Sequence, residues 1–188
     1  MQTISPPEIT THSKQLKRGI NNLINQHLNH SINPYWLISL HYAEGKIQEQ
    51  EVLKDIQDLK RKLQRIIYQS RDKSIKGAGE YPYPKMFFFH EISHQGTGQY
   101  HSHIIIEKLP PIINTQAAVE HLFSEALPSK VKSLSKWKSI DIQRIHPDPA
   151  DYKRISNYLC KQITPEHLAL EPFASDLTPS CIRPRVAK

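Results

Sequence analysis

The chain has little sulfur. Of 188 residues only 2 are cysteine and 2 are methionine. Cys160 and Cys181 form no CxxC pair and no disulfide framework, so a reduced, cytosolic setting is expected, with Cys160 a small core residue. The methionines are Met1 and Met86, which leaves none downstream of His90 for the Met-turn of a metzincin protease. No 18-residue apolar run occurs, which argues against a membrane-spanning helix. The opening MQTISPPEITTH has no basic segment followed by an apolar stretch, so no signal peptide is expected. Hydrophobic residues at 38% and charged residues at 23% are an ordinary globular balance. The length favours one domain, able to bury about 70% of its unfolded surface.

What the chain does have is positive charge and histidine. Lys and Arg number 25 against 18 Asp and Glu, a formal net charge of +7. The pI near 9.4 suits a polyanionic partner bound through phosphate neutralisation. Charge alone is equally compatible with a basic protein that binds no nucleic acid. The 11 histidines are informative through their clustering.

Periodicity predicts helices over 7–29, 48–70, Asn114 to about Leu127, and Pro149 to about Ile163. Strands are predicted at Tyr35–Tyr42, Lys85–Ile92, Tyr100–Ile106 and Ser139–Ile145. Lys73–Pro84 and Ser93–Gln99 read as loop and turn, Lys130–Lys138 as a basic connector, and the segment after Pro165 as a loose tail. In the second helix Val52, Ile56, Leu59, Leu63 and Ile66 form a core stripe, and the charged residues between them read as a solvated face. The order predicts an α+β domain, a central antiparallel sheet flanked by helices.

The segment from His90 to His103 holds four His and one Glu in fourteen residues. On a strand His101 and His103 project from one face, about 7 Å apart at the backbone. Two imidazoles so placed can share a metal. Glu91 on the neighbouring strand is the obvious third ligand, with His94 as the alternative. Such a set with open positions suits Mg²⁺ or Mn²⁺ near a phosphate. The competing pattern is His90-Glu-Ile-Ser-His94, an HExxH that on a helix would bind Zn²⁺ for peptide hydrolysis. Its context is poor: three Phe precede it, Gly96 and Gly98 follow, and Thr97 and Tyr100 stand where a metzincin needs Gly and His.

The last helix carries Tyr152, Ile155 and Leu159 at core spacing. Tyr158 lies at the stripe's edge, with Lys161 one turn on and Arg154 one turn back, so a phenol, an ammonium and a guanidinium can share a face. The bland alternative is a boundary tyrosine beside solvated cations.

Three segments in order resemble the HUH endonucleases, specifically rolling-circle replication initiator (Rep) proteins. Trp36-Leu-Ile-Ser-Leu-His-Tyr42 resembles the first motif, Glu91 through His103 with its terminal His-x-His the metal motif, and Asn157-Tyr-Leu-Cys-Lys161 the nucleophile motif. The likeness covers about Tyr35 to Ile163. It departs from the family at Ser102, where a bulky apolar residue is usual, and in the ten-residue spacing from Glu91 to His101. No GxxxxGK[ST] occurs, so the helicase domain of many viral initiators is not expected.

The resemblance implies a ferredoxin/RRM-like palm over 35–165, preceded by an N-terminal helical extension (1–34) and followed by a C-terminal tail (166–188). It implies a nick in single-stranded or hairpin origin DNA, with Tyr158 as nucleophile, Lys161 assisting, and Mn²⁺ or Mg²⁺ held by Glu91, His101 and His103. The product would be a 5′-phosphotyrosine and a free 3′-OH. A phenol titrates near pH 10 in water and needs such help at neutral pH. Lys136, Lys138 and Arg154 are expected on the DNA track, with Lys130 and Lys132 in the same basic run, and Tyr100 and Trp137 as base-stacking candidates. A separate or host helicase and polymerase are implied partners. The location is expected to be cytoplasmic, or the host interior for a viral protein. A single-tyrosine transposase, a relaxase and a non-catalytic nucleic-acid-binding module are the alternatives.

Overall fold

Pro34, lacking an N–H and fixed in φ, suits the first position of a strand. The aromatic and branched residues that follow form β1 (Pro34–Tyr42) in the computed structural model. The structure describes residues 6–30, 32–42, 49–68, 84–92, 100–128, 137–161, 163 and 175. The remaining elements are α1 (Pro6–His30), α2 (Glu49–Tyr68), β2 (Met86–Ile92), β3 (Tyr100–Glu107), α3 (Gln116–His121), β4 (Trp137–Arg144) and α4 (Pro149–Leu159). A short 3-10 turn, Pro111–Ile113, precedes α3, and a wider π turn, Leu122–Ala126, continues it.

The four strands form one sheet in the order β2-β3-β1-β4, every neighbouring pair antiparallel. Side chains alternate between its faces. One face buries Trp36, Ile38, Leu40, Tyr42, Phe88, Ile104 and Ile106 against Val52, Ile56, Leu59 and Leu63 of α2 and Val119 of α3. The other buries Leu37, Phe87, Phe89 and Ile105 against Ile24 and Leu28 of α1 and Tyr152, Ile155 and Leu159 of α4. Each fully buried Phe, Leu or Ile contributes about 1.5–3 kcal/mol, so both helical layers are held mainly by apolar burial. Helix α1, which the sequence sets apart as an extension before residue 35, shares this second core.

Local chemistry explains where elements start and stop. Asp148 caps α4 by accepting from the Ala150 N–H at 3.0 Å, with Pro149 in the first turn. The helix ends at Leu159 rather than near Ile163, because Cys160 leaves helical geometry (φ −91°, ψ 2°) and the Lys161 N–H turns back to Tyr158 O. Lys17 of α1 donates to the Lys161 carbonyl at 2.6 Å, satisfying a group the helix cannot. Thr115, not Asn114, caps α3 by accepting from Ala118 N–H at 3.2 Å. The Asn114 oxygen is engaged by Trp36 Nε1 and the Leu109 N–H. Strand β4 starts at Trp137, earlier than expected, which puts Lys138 on a strand rather than a connector. Ser175 caps the outer edge of β2, its Oγ accepting from Phe88 N–H at 2.9 Å and donating to Phe88 O at 3.4 Å.

Among the described residues no helix is long and apolar enough to cross a membrane.

Candidate active site

The register lines up two rows on the face covered by α1 and α4. Glu91, His101, His41 and Ser139 face one another across β2, β3, β1 and β4. Phe89, His103, Ser39 and Asp141 form the next row. Glu91 and His103 are buried, each side chain 1% exposed, with Glu91 Oε2 3.6 Å from His103 Nε2. That separation is beyond a hydrogen bond. The other ring nitrogen of His103, Nδ1, is 2.9 Å from Ser39 Oγ. The His41 and His101 rings meet edge to face at 4.6 Å between centroids.

The end of α4 closes over these rows. The Tyr158 ring lies 5.2 Å from the His103 ring, edge to face, and remains 41% exposed. Lys161 Nζ sits 3.9 Å from the Tyr158 ring centroid and 3.1 Å from Glu91 Oε2. A polar ladder from α1 steadies this end: Lys17 to Lys161 O, Asn21 to Asn157, and Asn25 to Ser156. The ladder residues of α1 are one helical turn apart, so a single face of that helix grips α4.

Electrostatics follow from this packing. Burial works to raise the Glu91 carboxyl pKa, but the His103 ring and the Lys161 ammonium outweigh it and hold the group below the ordinary carboxylate range. Burial opposes the charge on Lys161, yet Glu91 and the Tyr158 phenol more than compensate and raise its pKa. Lys161 is therefore an ammonium at neutral pH, suited to stabilising negative charge and unsuited to accepting a proton. Burial, then His41 and His103, lower the pKa of His101 against the pull of Glu91. Burial and His103 lower that of His41 against Asp141. Both favour the neutral imidazole, the form that binds metal.

Of the residues singled out from sequence, Glu91, His101, His103, Tyr158 and Lys161 come together. Arg154 is exposed and held by Asp151 at 2.7 Å, and Lys138 is exposed on β4. Lys130, Lys132, Lys136 and His94 lie outside the described residues. Tyr100 and Trp137 pack against the opposite face of the sheet from Tyr158, so neither can stack on a base held at the tyrosine. Tyr152 is buried in the core. His90 and Glu91 are extended and point to opposite faces, because β2 is a strand; the helix that an HExxH zinc site needs is not formed there. The sequence reading missed Ser39, His41 and Asp141. A signal for two of them is in the sequence: Ser39 and His41 are polar groups at two alternate positions of an otherwise apolar strand.

Glu91 Oε1 and His103 Nε2 are buried without a hydrogen-bond partner, a costly arrangement for polar atoms. The Ser39 contact on Nδ1 fixes the orientation of the His103 ring. Among the described residues no group of three or more His, Cys, Asp or Glu is placed to hold a metal ion, and the Lys161 ammonium stands beside the Glu91 carboxylate.

Comparison with models of known families, with curated proteins and with solved structures finds no match to this chain.

Proposed function

We propose that the protein is a metal-dependent, site-specific single-stranded DNA endonuclease of the HUH class, a rolling-circle replication initiator that nicks and rejoins through Tyr158. The observation that carries this reading is the convergence of Tyr158 and Lys161, from the end of α4, on Glu91 and His103 of the sheet. These residues are up to 70 positions apart in the chain (161 − 91 = 70), and neither the apolar core nor the helix caps require them to meet. The architecture supports the finer fold reading. From β1 to β4 the order is strand–helix–strand–strand–helix–strand with the sheet order β2-β3-β1-β4, the ferredoxin-like arrangement of an RRM-type palm.

Tyr158 Oη would attack the scissile phosphorus. An oxygen–phosphorus bond to the tyrosine forms, the bond to the 3′-oxygen breaks, the phenol proton leaves to solvent, and the departing 3′-oxygen takes up a proton. One phosphoester replaces another, so rejoining needs no ATP. The exposure of Tyr158 gives a strand access to its hydroxyl, and Lys161 lowers the cost of the developing phenolate. Glu91, His101 and His103 would hold Mn²⁺ or Mg²⁺, which supplies Lewis-acid neutralisation of the phosphate charge. Lys138 and Arg154 are accessible for backbone phosphates. Extension of the freed 3′-OH and strand separation would fall to a separate polymerase and helicase.

The test is incubation with a panel of single-stranded and hairpin DNAs, including origin DNA of the source replicon, with Mn²⁺. A covalent adduct on a denaturing gel supports the endonuclease. Salt-sensitive binding with no adduct across the panel would leave the non-catalytic binding module as the better account.

A further inference from the structure

The sheet face that carries the Tyr158 site is not covered across its whole width. Helices α1 and α4 bury Phe87 and Phe89 of β2, Ile105 of β3 and Leu37 of β1. Among the described residues no side chain of β4 joins that core. Strand alternation and the pairings His41↔Ser139, Ser39↔Asp141 and Leu37↔Gln143 put Ser139, Asp141 and Gln143 on this face, and all three are exposed. Beside them His41 is half-buried, and the His101 ring packs edge to face against it at 4.6 Å between centroids. A shelf of hydrogen-bonding side chains thus opens to solvent next to a restrained aromatic ring. The shelf is continuous with the Tyr158 site. Asp141 is opposite Ser39, Ser39 Oγ is 2.9 Å from His103 Nδ1, and the His103 ring meets the Tyr158 ring at 5.2 Å. Two strand spacings, about 10 Å, separate Asp141 from His103.

The chemistry of the shelf suits a nucleobase rather than a phosphate. Asp141 places a carboxylate on this face of a chain whose net charge is +7, and a carboxylate repels phosphate and only accepts hydrogen bonds. Gln143 Nε2 donates to Asp141 Oδ2 at 2.6 Å, which orients the group. Cytosine and adenine offer an exocyclic amino donor, whereas thymine has a carbonyl oxygen in its place. Imidazole rings are among the side chains on which unpaired bases stack. Resting on the proposed single-stranded DNA reading, we infer that this shelf reads one base of the strand beside the nick: the base stacks on His41, and Asp141 accepts from its exocyclic amino group, so that thymine is disfavoured. Base choice then resides in β1 and β4, and bond breaking at the end of α4.

The experiment is fluorescence anisotropy of the full chain with labelled oligo-dC and oligo-dT of equal length, at pH 8 and without added metal. The wild type is expected to bind oligo-dC at least about fivefold more tightly than oligo-dT. Asp141→Asn should bring the two affinities together, because an amide can accept from cytosine or donate to thymine. Loss of a negative charge tightens both strands alike, so the ratio is the readout. His41→Ala should weaken both strands by at least about fivefold. Circular dichroism checks that the variants are folded. If either is not, the wild type decides: oligo-dC should move the His41 ring resonances upfield by NMR, as stacking requires. Equal wild-type affinities, no binding to either strand, an unchanged ratio in folded Asp141→Asn, or His41 resonances that oligo-dC leaves in place overturn the inference. An adduct at Tyr158 with origin DNA would then leave the endonuclease reading standing. Conversely, a preference for oligo-dC that depends on Asp141, with no adduct across the DNA panel, upholds the base-reading shelf and overturns the endonuclease.

Discussion

Lys161 and Glu91 form a contact of 3.1 Å between an ammonium that is partly in solvent and a carboxylate that is 1% exposed. The pair joins the end of α4 to the sheet, and it brings the ammonium within 3.9 Å of the Tyr158 ring centroid. A single side chain thus balances a buried negative charge and, in the proposed reaction, would also meet the negative charge developing on the Tyr158 phenolate.

Lys161→Met tests that double role. Removing the ammonium leaves Glu91 buried without its cation, at a cost of about 1–2 kcal/mol once the exposure of Lys161 is discounted. The sign with pH is defined by Glu91. Its folded pKa lies below the ordinary 4.5, so the stabilisation is present above that value and is lost as pH falls through the folded one. Urea unfolding should therefore show the variant weaker at neutral pH and the gap closing under acid conditions. A gap that stays constant with pH would place the effect in packing rather than in the ion pair.

Substituting the proposed nucleophile is a cleaner change. Tyr158 is 41% exposed, so Tyr158→Phe should alter stability by less than about 0.5 kcal/mol while removing cleavage. Tyr152→Phe should retain cleavage, because Tyr152 is buried in the core away from solvent. Peptide mapping of the adduct by mass spectrometry distinguishes the two residues.

Much of the sheet was legible in the sequence because Tyr35–Tyr42, Met86–Ile92 and Tyr100–Ile106 are dense in aromatic and branched residues. The pairing between them was not. The ten-residue spacing from Glu91 to His101 left the third ligand uncertain, yet Ile92 pairs with Tyr100 and so brings Glu91 directly opposite His101. From the sequence, His41 carries no assigned role beyond its place in the Trp36–Tyr42 segment, because the apolar residues of β1 dominate that stretch. Strand β4 begins before Ser139 for a local reason: the register slips between His41 and Tyr42, so Trp137 and Lys138 fall out of the two-residue period of Ile140 and Ile142. Thr115 and Asn114 are both good caps by composition, and only the tertiary demand of Trp36 on Asn114 decides between them.

Helix α1 should prove integral to the domain. Leu28 is 2% exposed and packs in the core that also holds Phe87 and Ile105. Leu28→Ala should cost about 2–5 kcal/mol. Deleting residues 1–30 should cost more, since it also removes Ile24 and the Lys17, Asn21 and Asn25 ladder to α4. Denaturation midpoints measure both. A truncated chain as stable as the full one would make α1 a dispensable appendage.

Cys160 is fully buried, and burial pushes its thiol up to about 11 despite the nearby Lys17. In a Cys181→Ser background the native protein should resist a disulfide reagent at pH 8 and react fully once unfolded. The same shift makes stability fall as pH rises above the free thiol's value near 8.5, since the unfolded chain ionises first. Rapid native labelling would show that the end of α4 opens readily.

The proposed DNA track can be tested with salt. Lys138→Ala should make the slope of log affinity against log salt shallower by about 0.7 on single strands if it neutralises one phosphate. Arg154→Ala should change the slope less, because Asp151 already engages that guanidinium at 2.7 Å. Fluorescence anisotropy across a salt series measures both slopes.

The central claim is that Tyr158 attacks DNA beside a cation site built from Glu91, His101 and His103. The most direct measurement is the covalent adduct formed with single-stranded origin DNA and Mn²⁺, resolved on a denaturing gel for the wild type, Tyr158→Phe and His103→Ala. An adduct that forms in the wild type, requires the metal and is absent from both variants is the result expected. An adduct that persists in Tyr158→Phe, or forms equally well with chelator present, would contradict the account.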